Sequence, residues 1–344
     1  MRKVLAATAV SALVFLAACD SVEDRAIRHY ESGLELVERD EFDKAILEFR
    51  NALKLNDAHA PTYFELGEIF ERRGDLRSAF ARYSKVAELD PLHVKARIAL
   101  ARIFLIGEEL GRAEEEVDAA LALDPADATA LATKAQISLR TGDNAAAKDA
   151  VDRALLLAPE DLDVLTADIA YLLRATSAAA ALTRTDEALA IHPDALDLHV
   201  IKLGILSELG DQDRIGEQLT AMVERYPEDM RFRDARWKWA ASNGDGDLVR
   251  EDLKTLALAQ PENLYWATNL VRLVRAEDGD AAAEAVFAEL IAAMPDPFQL
   301  ELLLSKYRVE MGRREDAAAF LTELAEREGQ SEANANTARI ALAR

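Results

Sequence analysis

Seven of the nine prolines in this 344-residue chain stand at a fixed interval. Pro91, Pro125, Pro159, Pro193, Pro227, Pro261 and Pro295 are each 34 residues from the next, and only Pro61 and Pro297 fall outside the series. A constant period of this length marks stacked supersecondary units and outranks any local reading. Proline lacks an N–H and disfavours helix in the residue before it, so each member of the series is a helix stop. The helix that follows is expected to start just beyond, where proline is tolerated at the first position.

The residues between the stops show what each unit contains. Over 60–93, Tyr63, Leu66, Gly67 and Phe70 recur at helical spacing. Gly74-Asp75 interrupts them, and Ala79, Tyr83 and Val86 mark the inner face of a second helix. Half of the chain is hydrophobic, with Gly and Pro sparse, a composition that favours helix throughout. The unit is two antiparallel helices joined by short turns.

This unit resembles the tetratricopeptide repeat (TPR), whose pattern has small residues at positions 8 and 20, large apolar residues at 4, 7, 11 and 24, and proline at 32. Numbering from Ala26, Ala60, Val94, Ala128, Leu162, Leu196, Met230, Leu264 and Phe298 gives nine consecutive units over 26–331 without insertion. Position 8 is Gly33, Gly67, Ala101 and Ala135 in the first four, and position 20 is Ala45, Ala79, Ala113, Ala147 and Ala181, then Ala283 and Ala317. The resemblance implies an all-α fold, a right-handed α-solenoid of helix pairs, with residues 332–344 forming a capping helix. Later units depart from the pattern. Position 8 becomes Ile169, Leu203, Trp237, Val271 and Ser305, and in the sixth and seventh units position 20 is also large, Ile215 and Val249. A wider interhelical distance and a bend are expected there. The fifth unit has Thr176-Ser177 in place of the Gly-Asp turn, and its second helix is expected to pack loosely.

The N-terminus reads as a targeting segment. Arg2 and Lys3 precede an apolar run from Val4 to Phe15 that is short for a membrane span, and Leu16-Ala17-Ala18-Cys19 follows. That order resembles a bacterial lipoprotein signal: residues 1–18 are expected to be removed, Cys19 lipidated, and 19–25 left as a linker. Asp20 resembles the inner-membrane retention signal of enteric lipoproteins. Cys19 is the only cysteine, so no disulfide is available. The net charge is −22, and removal of Arg2 and Lys3 leaves −24. Phosphate backbones and anionic membrane surfaces would repel such a chain, so nucleic acid is excluded as a partner and the lipid must provide the membrane contact.

The sequence offers little for catalysis and calls for no cofactor. His29, His59, His93, His192 and His199 make no metal-ligand spacing with one another or with carboxylates, and no glycine-rich phosphate loop follows a strand. The run Glu114-Glu115-Glu116 reads as a solvated acidic face.

In the TPR family the first helix of each unit lines the binding groove with positions 2, 5, 9 and 12. Here these give an apolar zone in the first unit (Ile27, Tyr30, Leu34, Val37) and a mixed zone in the next two (Phe64, Glu68, Glu71, Lys95, Ile98, Arg102). A basic zone with one aromatic follows in the last three units: Arg231, Lys238, Tyr265, Arg272, Arg275 and Lys306. The apolar zone fits either packing against the membrane-proximal segment or a partner contact. The basic zone suits carboxylates, because arginine donates two hydrogen bonds in a planar fork. Solvated charges neutralised by neighbouring acids are the plainer alternative. No asparagine occupies position 9, so the carboxylate clamp of some TPR proteins does not carry over. Trp237 at position 8 is expected in the core, and Trp239 at position 10 partly exposed and able to stack on a partner. The resemblance implies a non-enzymatic scaffold for envelope proteins, and an anionic polysaccharide or acidic peptide in the basic groove is the alternative. The first units, with "AILEFRNALKLND", look most like the TPR lipoproteins of exosortase and exopolysaccharide export.

Overall fold

A computed structural model describes residues 21–327, 329 and 331–343. These residues form helices joined by turns, with no strand among them. The first pairs are α1 (Val22–Glu38) with α2 (Phe42–Leu55), α3 (Ala60–Arg72) with α4 (Leu76–Leu89), and α5 (Val94–Ile106) with α6 (Leu110–Leu123). Then come α7 (Ala128–Thr141) with α8 (Asn144–Leu157), α9 (Leu162–Ala175) with α10 (Ala178–Ile191), and α11 (Leu196–Leu209) followed by α12 (Gln212–Arg225). The series continues with α13 (Met230–Asn243) and α14 (Gly246–Ala259), α15 (Leu264–Asp278) and α16 (Asp280–Ala293), then α17 (Phe298–Glu310) and α18 (Arg314–Glu326). The last helix is α19 (Glu332–Leu342). The chain divides into two compact units, one ending at Asp211 and the other starting at Gln212. The division falls in the turn of the sixth repeat, whose positions 8 and 20 are both large.

The turns obey local chemistry. The periodic prolines sit in the four-residue connections after each second helix rather than at the first position of the next one; only Pro61 lies within a first turn. Within repeats, the fifteenth residue turns the chain with positive φ: Gly74 and Gly142 do so at 73° and 85°, and Asp40 and Glu108 take the same conformation at 57° and 60°. The aspartate after the glycine then caps the second helix, as Asp75 accepts from the Ser78 amide at 3.0 Å and Asp143 from the Ala146 amide at 2.9 Å. The fifth repeat solves the turn differently. Ser177 caps α10, and Ala181, Thr185 and Ala188 are fully buried, so this helix is not loosely packed. Residues 22–25, read as linker, are helical: Ser21 and Asp24 form a capping box that starts α1 at Val22. Cys19 and the segment 1–18 lie outside the described residues.

The first four hairpins close on the contact between positions 8, 20 and 24. Every alanine at position 20 is fully buried. A Cβ built on Gly33 would overlap the Phe49 ring, and one on Gly67 would overlap the Tyr83 ring. In the third and fourth repeats, alanine at position 8 is matched by Val117 and Val151 at position 24, all four buried. The sum of the two side chains is thereby held nearly level, as close packing requires. In the sixth and seventh repeats Leu203, Ile215, Trp237 and Val249 are only half-buried. Trp237 therefore does not sink into the core; it packs at the edge of a cluster with Trp266, and its indole donates to Asp252 at 2.9 Å.

Position 7 does not follow the expected apolar pattern. It is Leu66, Leu100, Leu270 and Leu304 in the second, third, eighth and ninth repeats, all buried. In the four repeats between, it is Lys134, Asp168, Lys202 and Arg236. Each meets an opposite charge on a second helix. Lys134 reaches Glu114 and Asp118, both at 2.8 Å, and Asp168 accepts from Arg184 at 2.7 Å. Lys202 meets Asp186 at 2.8 Å, and Arg236, with a side chain 9% exposed, pairs with Asp252. The middle of the chain thus carries a series of ion pairs, the most buried being Asp168 with Arg184 and Arg236 with Asp252. Such pairs gain little over apolar residues but are costly to break on one side.

Two outcomes follow for stability. Gly67→Ala should destabilise by about 1–3 kcal/mol through overpacking, and adding Tyr83→Val, the pairing of the third and fourth repeats, should recover most of that loss in chemical denaturation. Arg236→Ala should cost about 3 kcal/mol, because Asp252 is left without its cation, whereas Arg236→Leu with Asp252→Leu should lie within about 1 kcal/mol of the unmodified chain.

Candidate functional site

The exposed faces of the first helices carry the side chains that packing does not use. In the first repeat little is left over. Tyr30, Leu34 and Val37 are half-buried against the Phe49–Leu66 cluster, with the Tyr30 ring 6.0 Å from Phe49 and 5.0 Å from His59. Burial raises the Tyr30 hydroxyl above its usual range. Only Ile27, 40% exposed, remains of the apolar zone. The zone is chiefly the seam between the first and second repeats.

In the mixed zone Ile98 is buried, and Phe64 packs against Tyr83 and His93 with centroids at 5.6 and 4.8 Å. Arg102 spans the face: from α5 its guanidinium lies 3.5 Å from Glu71 on α3 and 3.6 Å from Asp163 on α9. Glu71 also accepts from the Tyr83 hydroxyl at 2.7 Å. Burial raises the Asp163 carboxyl above the usual range while Arg102 opposes the shift, and Glu65 is raised by burial and by Glu68. Beside this strap lies a groove of about 280 Å³ lined by Leu105, Gln136, Leu139, Arg140, Ala170 and Arg174. Arg140 donates to Glu108 at 2.6 Å, and Arg174 has no partner among the described residues. Sequence reasoning missed this groove. Its signal was available, since Arg140 and Arg174 are one period apart at position 13.

The basic zone belongs to the second unit, and the structure sorts its members. Arg231 is 78% exposed but neutralised, its guanidinium bonded to both carboxylate oxygens of Asp229 at 2.6–3.1 Å. Arg275 pairs with Asp280 at 3.0 Å and lies 5.7 Å from the Tyr307 ring centre. Tyr265 is 59% exposed and edge-on to Trp266 at 4.8 Å. Arg272, Arg275 and Lys306 line one pocket of about 180 Å³ between α15 and α17, with Thr268, Val271, Phe287, Leu303, Tyr307 and Glu310. Lys238 lines a larger groove of about 540 Å³ between α13 and α15, with Asp234, Trp237 and Leu273 among its walls. Arg231 and Tyr265 line neither. Lys238, Arg272 and Lys306 are exposed and have no ion-pair or hydrogen-bond partner among the described residues. Trp239 is half-buried: it covers Gly216, donates to the Gln212 carbonyl at 3.0 Å and lines a groove with Glu217 and Leu248.

The histidines serve the fold. His93 accepts the Ala96 amide at the start of α5, His192 bonds the Glu160 carbonyl at 2.6 Å, and His29 meets Glu48 at 2.5 Å. The acidic run is partly engaged as well, since Glu116 pairs with Arg97 at 2.8 Å and Glu114 with Lys134. Among the described residues no His, Cys, Asp or Glu group could hold a metal, and no helix is long and apolar enough to cross a membrane.

These features define an all-α solenoid of helical hairpins. Models of the tetratricopeptide repeat match residues 30–85, 64–128 and 128–161, so this part of the chain is similar to that family. No curated protein matches the sequence. Among solved structures, the APC/C hetero-tetramer Cut9–Hcn1 is similar at TM-score 0.54 and 14% identity, over 62% of this chain and 43% of that one. The type IV pilus biogenesis factor PilW gives TM-score 0.49 and 16% identity over 61% of this chain and 97% of its own. A thermophilic TPR protein of Thermus thermophilus gives 0.45 and 19% over 53% and 98%. TPR proteins bind other proteins or peptides and generally act as interaction scaffolds.

Removing the Arg102 strap tests the electrostatics of the first unit. In Arg102→Met the Asp163 carboxyl should titrate still higher than in the unmodified chain, read by NMR pH titration, because its one opposing cation is gone. A carboxyl raised by folding favours the native state most at low pH, and that contribution is lost as pH rises through the raised value. The variant should therefore fall furthest below the unmodified chain near neutral pH.

Proposed function

We propose that this protein is a non-enzymatic scaffold of the bacterial cell envelope, held to a membrane by lipid on Cys19 and gathering partner proteins on the exposed faces of its first helices. The observation that carries this reading is the row of unpartnered cations on a strongly acidic chain. Packing does not need Lys238, Arg272 or Lys306, and among the described residues no acid forms an ion pair with them. The Leu16–Cys19 sequence supports the anchor, and several acyl chains at about 0.8 kcal/mol per buried methylene would hold the chain firmly. Ser21 caps α1 only two residues beyond Cys19, so the first repeat stands close to the anchored residue. Asp20 favours the inner membrane, with the repeats facing the periplasm. The spelling of the first repeats supports a place in an export assembly of the exopolysaccharide type.

Cys19→Ser should move the protein from the membrane to the soluble fraction and abolish incorporation of an alkyne fatty acid, while helical circular dichroism is unchanged. Crosslinking and affinity recovery from solubilised envelope should return reproducible protein partners with the unmodified chain. Recovery of none would refute the scaffold reading.

A further inference from the structure

The pocket between α15 and α17 is floored by the core itself. It reaches Phe287 on α16, a side chain only 1% exposed, and Val271, Leu303 and Tyr307 form its apolar walls. The rings of Phe287 and Tyr307 lie 5.5 Å apart, centre to centre. Asp280 holds one wall in place, since it accepts from the Tyr307 hydroxyl at 3.3 Å and pairs with Arg275 at 3.0 Å. The pocket measures about 180 Å³. Drug-sized ligands need roughly 300 Å³ or more, whereas an apolar cavity of about 150 Å³ takes one benzene. The space therefore suits a single ring with a short appendage.

The charges set what that appendage must be. Arg275 is neutralised by Asp280, so the exposed cations Arg272 and Lys306 face one acid, Glu310. Two cations against one carboxylate leave a single positive charge in excess, on a chain of net charge −22. We infer that this pocket binds a small aromatic carboxylic acid. Its ring lies among Val271, Phe287, Leu303 and Tyr307, and its carboxylate meets Arg272 and Lys306. Rings pack well against other rings, and the arginine fork matches both carboxylate oxygens. The neutral polar groups of the pocket are already committed. The Thr268 hydroxyl donates to the Leu264 carbonyl at 2.7 Å, and the Tyr307 hydroxyl is held by Asp280. No neutral side chain is left to read a peptide backbone or to pair with the hydroxyls of a sugar, and unpaired polar groups are costly to bury. The inference goes beyond the scaffold reading and stands without it, since neither a partner protein nor lipid enters it.

The test uses the full chain with labelled valine and leucine methyls, phenylacetate as the probe, and NMR. The Val271 and Leu303 methyl resonances should shift saturably at millimolar concentrations or below. Acetate, which lacks the ring, and phenylacetamide, which lacks the charge, should each bind on the order of tenfold more weakly. Arg272→Gln with Lys306→Gln should weaken phenylacetate by about tenfold while circular dichroism is unchanged, because both side chains are exposed. The absence of a saturable shift, equal binding of phenylacetate and phenylacetamide, or undiminished binding by the double variant would overturn the inference. A short peptide ending in phenylalanine that binds more tightly than phenylacetate would overturn it in favour of a chain terminus.

Discussion

The contact on which the first four hairpins depend joins the eighth residue to the twenty-fourth, over an alanine at position 20. Two helices can approach closely only where at least one side of the seam is small, and the chain satisfies this in more than one way. Glycine faces Phe49 or Tyr83, and alanine faces Val117 or Val151. The ring cannot retreat from the glycine, because Tyr83 is fully buried and its hydroxyl is tied to Glu71. Where both small positions are replaced by large residues, those residues stay half-exposed, and the boundary between the two compact units falls in one of these repeats.

Ion pairs join helices in two ways: those of Lys134 and Lys202 reach the preceding repeat, and those of Asp168 and Arg236 close a hairpin within one repeat. In four successive repeats the position that is leucine elsewhere becomes Lys134, Asp168, Lys202 and Arg236. Their partners alternate in direction: Asp118 and Asp186 lie on the helix before, Arg184 and Asp252 on the helix after. A leucine ladder would pack equally well if the repeats slipped by one unit. The pairs that cross repeats, Lys134 with Glu114 and Asp118 and Lys202 with Asp186, would not, because a slipped repeat would leave these lysines without their acids. This gives the array a means of keeping its order.

The surface follows from what these two devices leave over. With the small positions, the leucines and the ion pairs committed inward, the first helices present positions 2, 9 and 13 outward. Most charges there are already matched. Arg102 is held by Glu71 and Asp163, Arg231 by Asp229 and Arg140 by Glu108. The cations at position 9 of the last three repeats are exceptions, as is Arg174 at position 13, and the spacing of the position-9 row is that of the fold itself.

The sequence alone determined the architecture. A proline every 34 residues, with glycine and alanine at fixed offsets, specifies helical hairpins, because proline ends a helix and a close seam admits only small residues. It also exposed the cation row, since equivalent positions in a repeat can be compared without coordinates. The pairings were not legible. Whether Lys134 finds its acid twenty residues back or Asp168 its arginine sixteen ahead depends on which second helix lies beside it. The sequence also offered Ile27, Tyr30, Leu34 and Val37 as one exposed apolar zone, and Trp239 as a free ring. The structure uses all but Ile27 of the first set to join two repeats, and sets Trp239 on Gly216. Periodicity says which residues share a face of one helix. Only tertiary packing decides which part of that face is already covered by the next.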